Sequence, residues 1–276
     1  MGDSSARLLE RARSGDAAAL EELLQEYQAR IYRFGLKMCR NPQDAEDVLQ
    51  DTLIAMARGV RDFRGASSVS TWLYGIARSY CIKKRRKSKF APAFDERIDG
   101  LERSPGHEPR DRGQAPDEAL ASKQIESALD HAIRALEPMY REVLLLRDVE
   151  GLTAREVAEV LHISAQAVKS RLHRARLSVR AHMAPLLDLP SATALPPGCP
   201  DVVGLFSRHL EGEIDASTCI EMERHVESCP HCRSTCDSLK QTLALCHASG
   251  PGSDVPREVQ AAVRQAIGAI APAPHA

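Results

Sequence analysis

The sequence of 276 residues has no apolar run approaching the twenty or so residues of a membrane span, and Met1-Gly2-Asp3 starts no signal peptide. Embedding in a bilayer and export are thereby set aside, and a cytoplasmic chain is expected. Net charge is almost absent, at -1, so the molecule as a whole is neither a polycation nor an acidic tail. The missing charge is local: residues 78–89 carry seven Lys or Arg and no acid, and residues 165–182 carry five and no acid. Residues 199–246 reverse the balance, with eight acids against four basic residues. Such asymmetry separates parts that face nucleic acid from a part that does not. No catalytic constellation is visible either. Ser, His and Asp fall in caps, turns or beside cysteines, so no enzyme activity is expected.

What is present is helical patterning throughout. At residues 151–182 Thr153 can cap a helix over 154–161, with Glu156 closing a capping box. Val157, Val160 and Leu161 give that helix an apolar stripe. His162-Ile163-Ser164 breaks it, and Ser164 can cap a second helix from Ala165 to about Arg180. Val168, Leu172, Ala175 and Val179 share the inward face of the second helix, while Gln166, Ser170 and His173 point outward between Lys169, Arg171 and Arg174. Two helices joined by a tight turn, the second basic and polar outward, describe a helix-turn-helix that places its second helix in a major groove. A basic solvated helix in an ordinary bundle is the alternative.

The string VKSRLHRAR resembles the -35-reading domain of the ECF class of bacterial RNA polymerase sigma factors. It departs from the family at His162, where glycine is common; His enters the left-handed region at modest cost. Upstream, residues 4–40 read as two helices split at Ser14-Gly15-Asp16, and Asn41-Pro42 stops the second. DAEDVLQDTL, FRG, STWLYGIAR and KKRRK then follow in the order of the first conserved domain of the same class. The resemblance implies polymerase contact through Asp44, Glu46, Asp47, Gln50 and Asp51. It implies promoter opening at residues 63–70 and by Trp72, Arg78, Lys83, Lys84, Arg85 and Arg86, where an aromatic beside a basic tract suits stacking of unpaired bases. Read alone, the acids make a solvated face and Trp72 a core residue.

Beyond a Pro-rich break, six of the eight cysteines cluster with interleaved His. Without a secretion signal this reads as metal or redox chemistry before a disulfide framework. Thr218, with Glu221 as its box partner, is expected to cap a helix that runs through HVESC, and Pro230 to end the turn. His225 and Cys229 then share one face, with Cys232 three residues on. One imidazole and two thiolates converge, as in a tetrahedral Zn site. HxxxCxxC with upstream Cys199 resembles the zinc-binding anti-sigma fold, which implies Cys199, His225, Cys229 and Cys232 as ligands. Cys219, Cys236 and Cys246, with His209 nearby, exceed four ligands. They are either buried helix residues or exchangeable ligands for a soft ion such as Zn, Cd or Cu(I). A redox alternative has Cys229 or Cys232 leaving the metal to form a disulfide.

The expected architecture is all-α: two helical sigma domains joined by a flexible linker, plus a small helical Cys/His metal-binding domain. The divisions are sigma region 2 at 1–90, a linker at 91–117, region 4 at 118–184, a Pro-rich linker at 185–198, the Cys-rich domain at 199–248, and at 249–276 a tail with a short amphipathic helix. The combination resembles the CorE-like, metal-responsive subgroup. That implies core RNA polymerase and promoter DNA as partners, no membrane, no separate anti-sigma factor, Zn as structural ion, and Cu or Cd as effector. The rivals are a sigma factor with a purely structural Zn or thiol-redox domain, and a helix-turn-helix metalloregulator that works without polymerase.

Overall fold

The computed structural model describes residues 2–39, 41–90, 116–187, 198–248 and 255–268. Most of the expected 91–117 and 185–198 linkers lies outside them. Among the described residues there are helices and turns and no strand.

Helices α1 (Gly2–Arg13), α2 (Ala17–Met38), α3 (Pro42–Gly59) and α4 (Val69–Phe90) form the first bundle. Asp16 caps α2 through the Ala19 N–H, and Asn41 caps α3 through the Asp44 N–H, with Pro42 preset at the first position. Ala45, Val48, Leu49, Thr52, Leu53 and Met56 bury one face of α3 against α2 and α4, which leaves its acids on the other. Phe34 meets Tyr74 edge to face at 5.4 Å.

Helices α5 (Pro116–Ala135), α6 (Pro138–Leu144), α7 (Ala154–Leu161) and α8 (Ala165–Met183) form the second bundle, and a π-helical turn at Leu145–Val149 extends α6. The capping box of Thr153 and Glu156 starts α7. His162 ends it in the left-handed region at φ 54°, the conformation that favours glycine and that His enters at modest cost. Ser164 starts α8 through the Ala167 N–H.

The C-terminal part comprises α9 (Val202–Leu210), α10 (Ala216–Ser228), α11 (Pro230–Ala248) and α12 (Arg257–Gly268). Two local expectations are corrected here. Asp215, not Thr218, caps α10, because its carboxylate accepts from both the Thr218 N–H (2.8 Å) and the Ser217 hydroxyl (2.6 Å), which hold it down to about 2. Pro230 does not end a turn but opens α11, where its missing N–H costs nothing.

The two helical bundles do not stand apart. One continuous apolar core runs from α1 through α8 and takes in Cys246 of α11 and Val255, Val259 and Val263 at the C-terminal helix. Polar contacts reinforce the junction. The Glu150 carboxylate, 1% exposed, accepts from Arg33 Nη2 at 2.9 Å, Arg30 Nε at 3.3 Å and the Tyr74 hydroxyl. Arg78 pairs with Glu142 at 3.0 Å, Lys37 with Asp130, and Ser68 donates to Glu156 at 2.8 Å.

Candidate metal centre and nucleic-acid interface

Cys199, His225, Cys229 and Cys232 bring one donor atom each into a group whose members lie within 4.8 Å of one another. Cys199 stands just before α9, His225 in the last turn of α10, Cys229 at its C-cap and Cys232 in the first turn of α11. Chain geometry aims the last three inward: the Cys229 N–H closes on the His225 carbonyl at 2.9 Å, and Pro230 redirects the chain at once. The Cys199 and Cys229 sulfurs are 3.8 Å apart. Two thiolates on a tetrahedral Zn, each at about 2.3 Å, stand about 3.8 Å apart, so the donor set fits that ion. The backbone N–H of Cys232 and its thiol, with Cys199, hold the Cys229 thiol below its ordinary range. Burial pushes Cys232 up to about 12, and the neighbouring Cys199 and Cys229 add to this. Three thiolates in one pocket repel until a cation joins them, which is the chemistry a bound metal ion would supply.

The surplus thiols separate. Cys236 (2% exposed) and Cys246 (1%) are buried in the faces of α11 that pack against the rest of the molecule, and burial pushes Cys246 up to about 12. Cys219 lies instead on the accessible side of α10, with its sulfur 3.6 Å from His209 Nδ1 of α9.

Helix α8 runs beside the C-terminal part, with Gln166, Ser170 and Arg174 still exposed. Lys169 pairs with Glu213 at 3.0 Å, and Gln166, Ser170 and His173 line a cavity of about 530 Å³ whose opposite wall includes Asp201, Gly204 and Arg208. Arg174 donates to the Tyr140 hydroxyl at 3.2 Å. The basic footprint of residues 165–182 is smaller than its count: Arg176 and Arg180 are 2% and 4% exposed and point inward. Arg176 makes a two-pronged contact with Asp148 at 2.8 and 2.7 Å, then reaches Ser207 at 3.2 Å and Glu211 at 2.8 Å. Burial works against its charge, yet Asp148 and Glu211 hold its pKa above the ordinary value. Arg147 adds a second cation to Glu211 at 3.2 Å, and Arg180 donates to Ser238 at 2.6 Å. Sequence reasoning missed Arg176, Arg180, Glu211 and Glu213 as a group. The available signal was that Arg176 follows Val168 and Leu172 at successive spacings of four, a charge on the apolar face that needs a buried partner.

In the first bundle Lys84 is engaged by Asp47 and, at 3.9 Å, by Asp44. Arg78 and Arg85 both turn to Glu142 of the second bundle. Trp72 stacks on Phe63 at 4.7 Å and sits against Gly59, where a Cβ would come within 3.1 Å of its ring. Lys83 and Arg86 are exposed, with Lys83 over the Tyr80 ring at 4.8 Å. Helix α12 packs along α3. Partial burial, then Asp47 and Glu258 of α12, raise the Glu46 carboxyl above its ordinary range. Gln50 and Asp51 are half-buried on the same helix.

Three family models each match one stretch of the chain. The family model of Sigma-70 region 2 matches residues 23–90, that of Sigma-70 region 4 matches 126–179, and a zinc-finger family model matches 199–233. The RNA polymerase sigma-H factor of Pseudomonas aeruginosa is 30% identical over 185 residues, 66% of this chain and 94% of that protein. The ECF RNA polymerase sigma factor SigW of Bacillus subtilis is 28% identical over 176 residues, 63% and 94% respectively. The RNA polymerase sigma factor YlaC of the same species is 30% identical over 167 residues, 60% and 92%. No helix among the described residues is long and apolar enough to cross a membrane.

Proposed function

The chain belongs to the ECF sigma factors, initiation factors that partner core RNA polymerase and promoter DNA and are not enzymes, and we propose that it is one whose fused Cys/His domain holds it closed until a metal ion changes that domain. The observation that carries the reading is the clasp at α8: Glu213 pairs with Lys169, while Glu211 pairs with the inward-pointing Arg176 and with Arg147 of the adjacent π-helical turn, so the acidic domain docks beside the helix that would read the -35 element. Lys169 paired with Glu213 is withheld from phosphates, and acids set beside the helix repel them. In the same arrangement α12 lies on α3, whose Asp44, Glu46, Asp47, Gln50 and Asp51 are the polymerase contact of the resemblance. Trp72, Arg78, Lys83, Lys84, Arg85 and Arg86 remain the promoter-opening set, three of them held by Glu142 or Asp47 in the closed form.

Cys199, His225, Cys229 and Cys232 hold the structural ion, Zn by donor type, and the effector is a thiophilic ion of the Zn, Cd or Cu kind. An inhibitor built into the chain needs no separate anti-sigma factor, as in the CorE-like subgroup. Metal shifts the clasp only through different affinity for the closed and open arrangements. The test is promoter-specific transcription by full-length protein with core polymerase, titrated separately with Zn, Cd and Cu. One ion is expected to change activity by tenfold or more, whereas a flat response to all three sinks metal control. Specific promoter binding that ignores core polymerase would favour the polymerase-independent regulator.

A further inference from the structure

Two cysteines take no part in the Cys/His domain. Cys39 closes α2, its N–H bonded to the Gly35 carbonyl at 2.7 Å, and Cys81 lies in the middle of α4. Helix packing sets their sulfurs 3.6 Å apart, although the residues stand 42 positions apart in the chain. A disulfide needs about 2.05 Å between sulfurs, so a gap of about 1.5 Å remains, within reach of rotation about the two Cα–Cβ bonds. Buried thiols are commonly packing residues. This pair differs in that the two sulfurs face each other and are unequal. Cys81 is wholly buried, whereas Cys39 keeps 6% exposure at the start of the turn into α3, so a small solute meets Cys39 first. The hydrogen bond with Cys81, then Lys84 and Arg85, hold the Cys39 thiol below its ordinary range against burial and Asp44. The same hydrogen bond, then burial, push Cys81 well above it. The thiolate is the reactive form, which again favours Cys39 as the first to react.

We propose that Cys39 and Cys81 form a reversible dithiol–disulfide site for hydroperoxides, with Cys39 as the attacking sulfur and Cys81 as the resolving one. With hydrogen peroxide, the Cys39 thiolate attacks one oxygen and the O–O bond breaks. The sulfur becomes a sulfenic acid, and the other oxygen leaves as hydroxide and takes up a proton to form water. The Cys81 sulfur then attacks the sulfenic sulfur, whose S–O bond breaks, and the hydroxyl leaves with the Cys81 proton as a second water. Two thiols and one peroxide thus give one disulfide and two waters, with two electrons passing from sulfur to oxygen. The bridge would tie the end of α2 to α4 and close a loop that contains all of α3, the helix bearing Asp44, Glu46, Asp47, Gln50 and Asp51. Oxidation therefore braces the first bundle by restricting its unfolded chain.

The experiment uses the full chain, reduced and loaded with Zn(II) so that the Cys/His centre is occupied, then treated with hydrogen peroxide. Remaining thiols are blocked with N-ethylmaleimide and the peptides mapped by mass spectrometry. The Cys39 and Cys81 peptides should be joined, lighter by the two lost hydrogens, and should part on adding dithiothreitol. The melting temperature should rise by about 5 °C or more over the reduced chain, a shift absent in Cys39→Ser treated alike. In Cys81→Ser, Cys39 should label with dimedone, a reagent for sulfenic acids, whereas Cys81 in Cys39→Ser should not. The wild-type linkage decides the site whether or not a variant folds. Both thiols still blocked by N-ethylmaleimide once the oxidised chain is unfolded, or Cys39 joined to a cysteine of the C-terminal domain instead, overturns it. Dimedone labelling of Cys81 in Cys39→Ser overturns the assigned order of attack, and a linkage without the thermal shift overturns the bracing.

Discussion

Replacing Glu211 by Ala removes an ion-paired link between the C-terminal domain and the second sigma bundle. Its carboxylate is 3% exposed and accepts from Arg176 at 2.8 Å and Arg147 at 3.2 Å. Breaking a buried ion pair from one side costs about 3–5 kcal/mol when the other charge is left bare. Arg176 is not left bare, since it keeps both Asp148 contacts and can keep Ser207. The loss is then nearer that of hydrogen bonds to a charged group, about 2 kcal/mol. At about 1.4 kcal/mol per decade this shifts the balance from closed to open about 30-fold. While the open form is a minor species, apparent affinity rises by the same factor as its population. The assay is promoter binding by the variant with core polymerase at fixed salt, since phosphate contacts make affinity depend on ionic strength. Zinc content, measured alongside, shows whether the Cys/His centre stays intact. Unchanged promoter affinity in a variant that keeps its zinc would refute the clasp.

The junction of the sigma bundles gives a second expectation. Glu150→Ala strands Arg33 and the Tyr74 hydroxyl and leaves Arg30 only its bond to the residue-150 carbonyl, at about 3–5 kcal/mol, and should increase the radius of gyration measured by small-angle scattering. Helix α12 supplies a third: Val259 and Val263 are buried against the first bundle, and Val259→Asp should release it and tighten core polymerase binding by tenfold or more in a pull-down titration. The fourth concerns pH. Burial raises the folded Cys246 thiol to about 12 from an unfolded value of about 8.5, so its neutral form adds stability fully below that lower value. This contribution is lost as pH rises from there towards 12, and Cys246→Ala should flatten the alkaline fall in melting temperature relative to wild type.

The sequence by itself determined whatever depends on neighbours within a few positions. Caps at Asp16, Asn41, Thr153 and Ser164, the left-handed His162, and the apolar stripes of α3 and α8 follow from side-chain chemistry acting over one or two turns. The same short range brings His225, Cys229 and Cys232 together, because a helix, its cap and the following turn fix their directions. Local signals misled where two candidates were close: Asp215 outcompeted Thr218 because a carboxylate accepts two donors at once. Tertiary structure alone decided which charges meet. Arg176 looked like part of a DNA-facing tract until Asp148 and Glu211 were folded around it, and Glu150 finds Arg30 and Arg33 across 120 and 117 residues. No periodicity encodes such pairs. They form because burial makes an unpaired charge costly, and which partner answers it depends on how whole surfaces dock. The separation of Cys219, beside His209, from the interface thiols Cys236 and Cys246 has the same origin, since eight cysteines look alike in the chain until packing leaves some of them open and closes over the others.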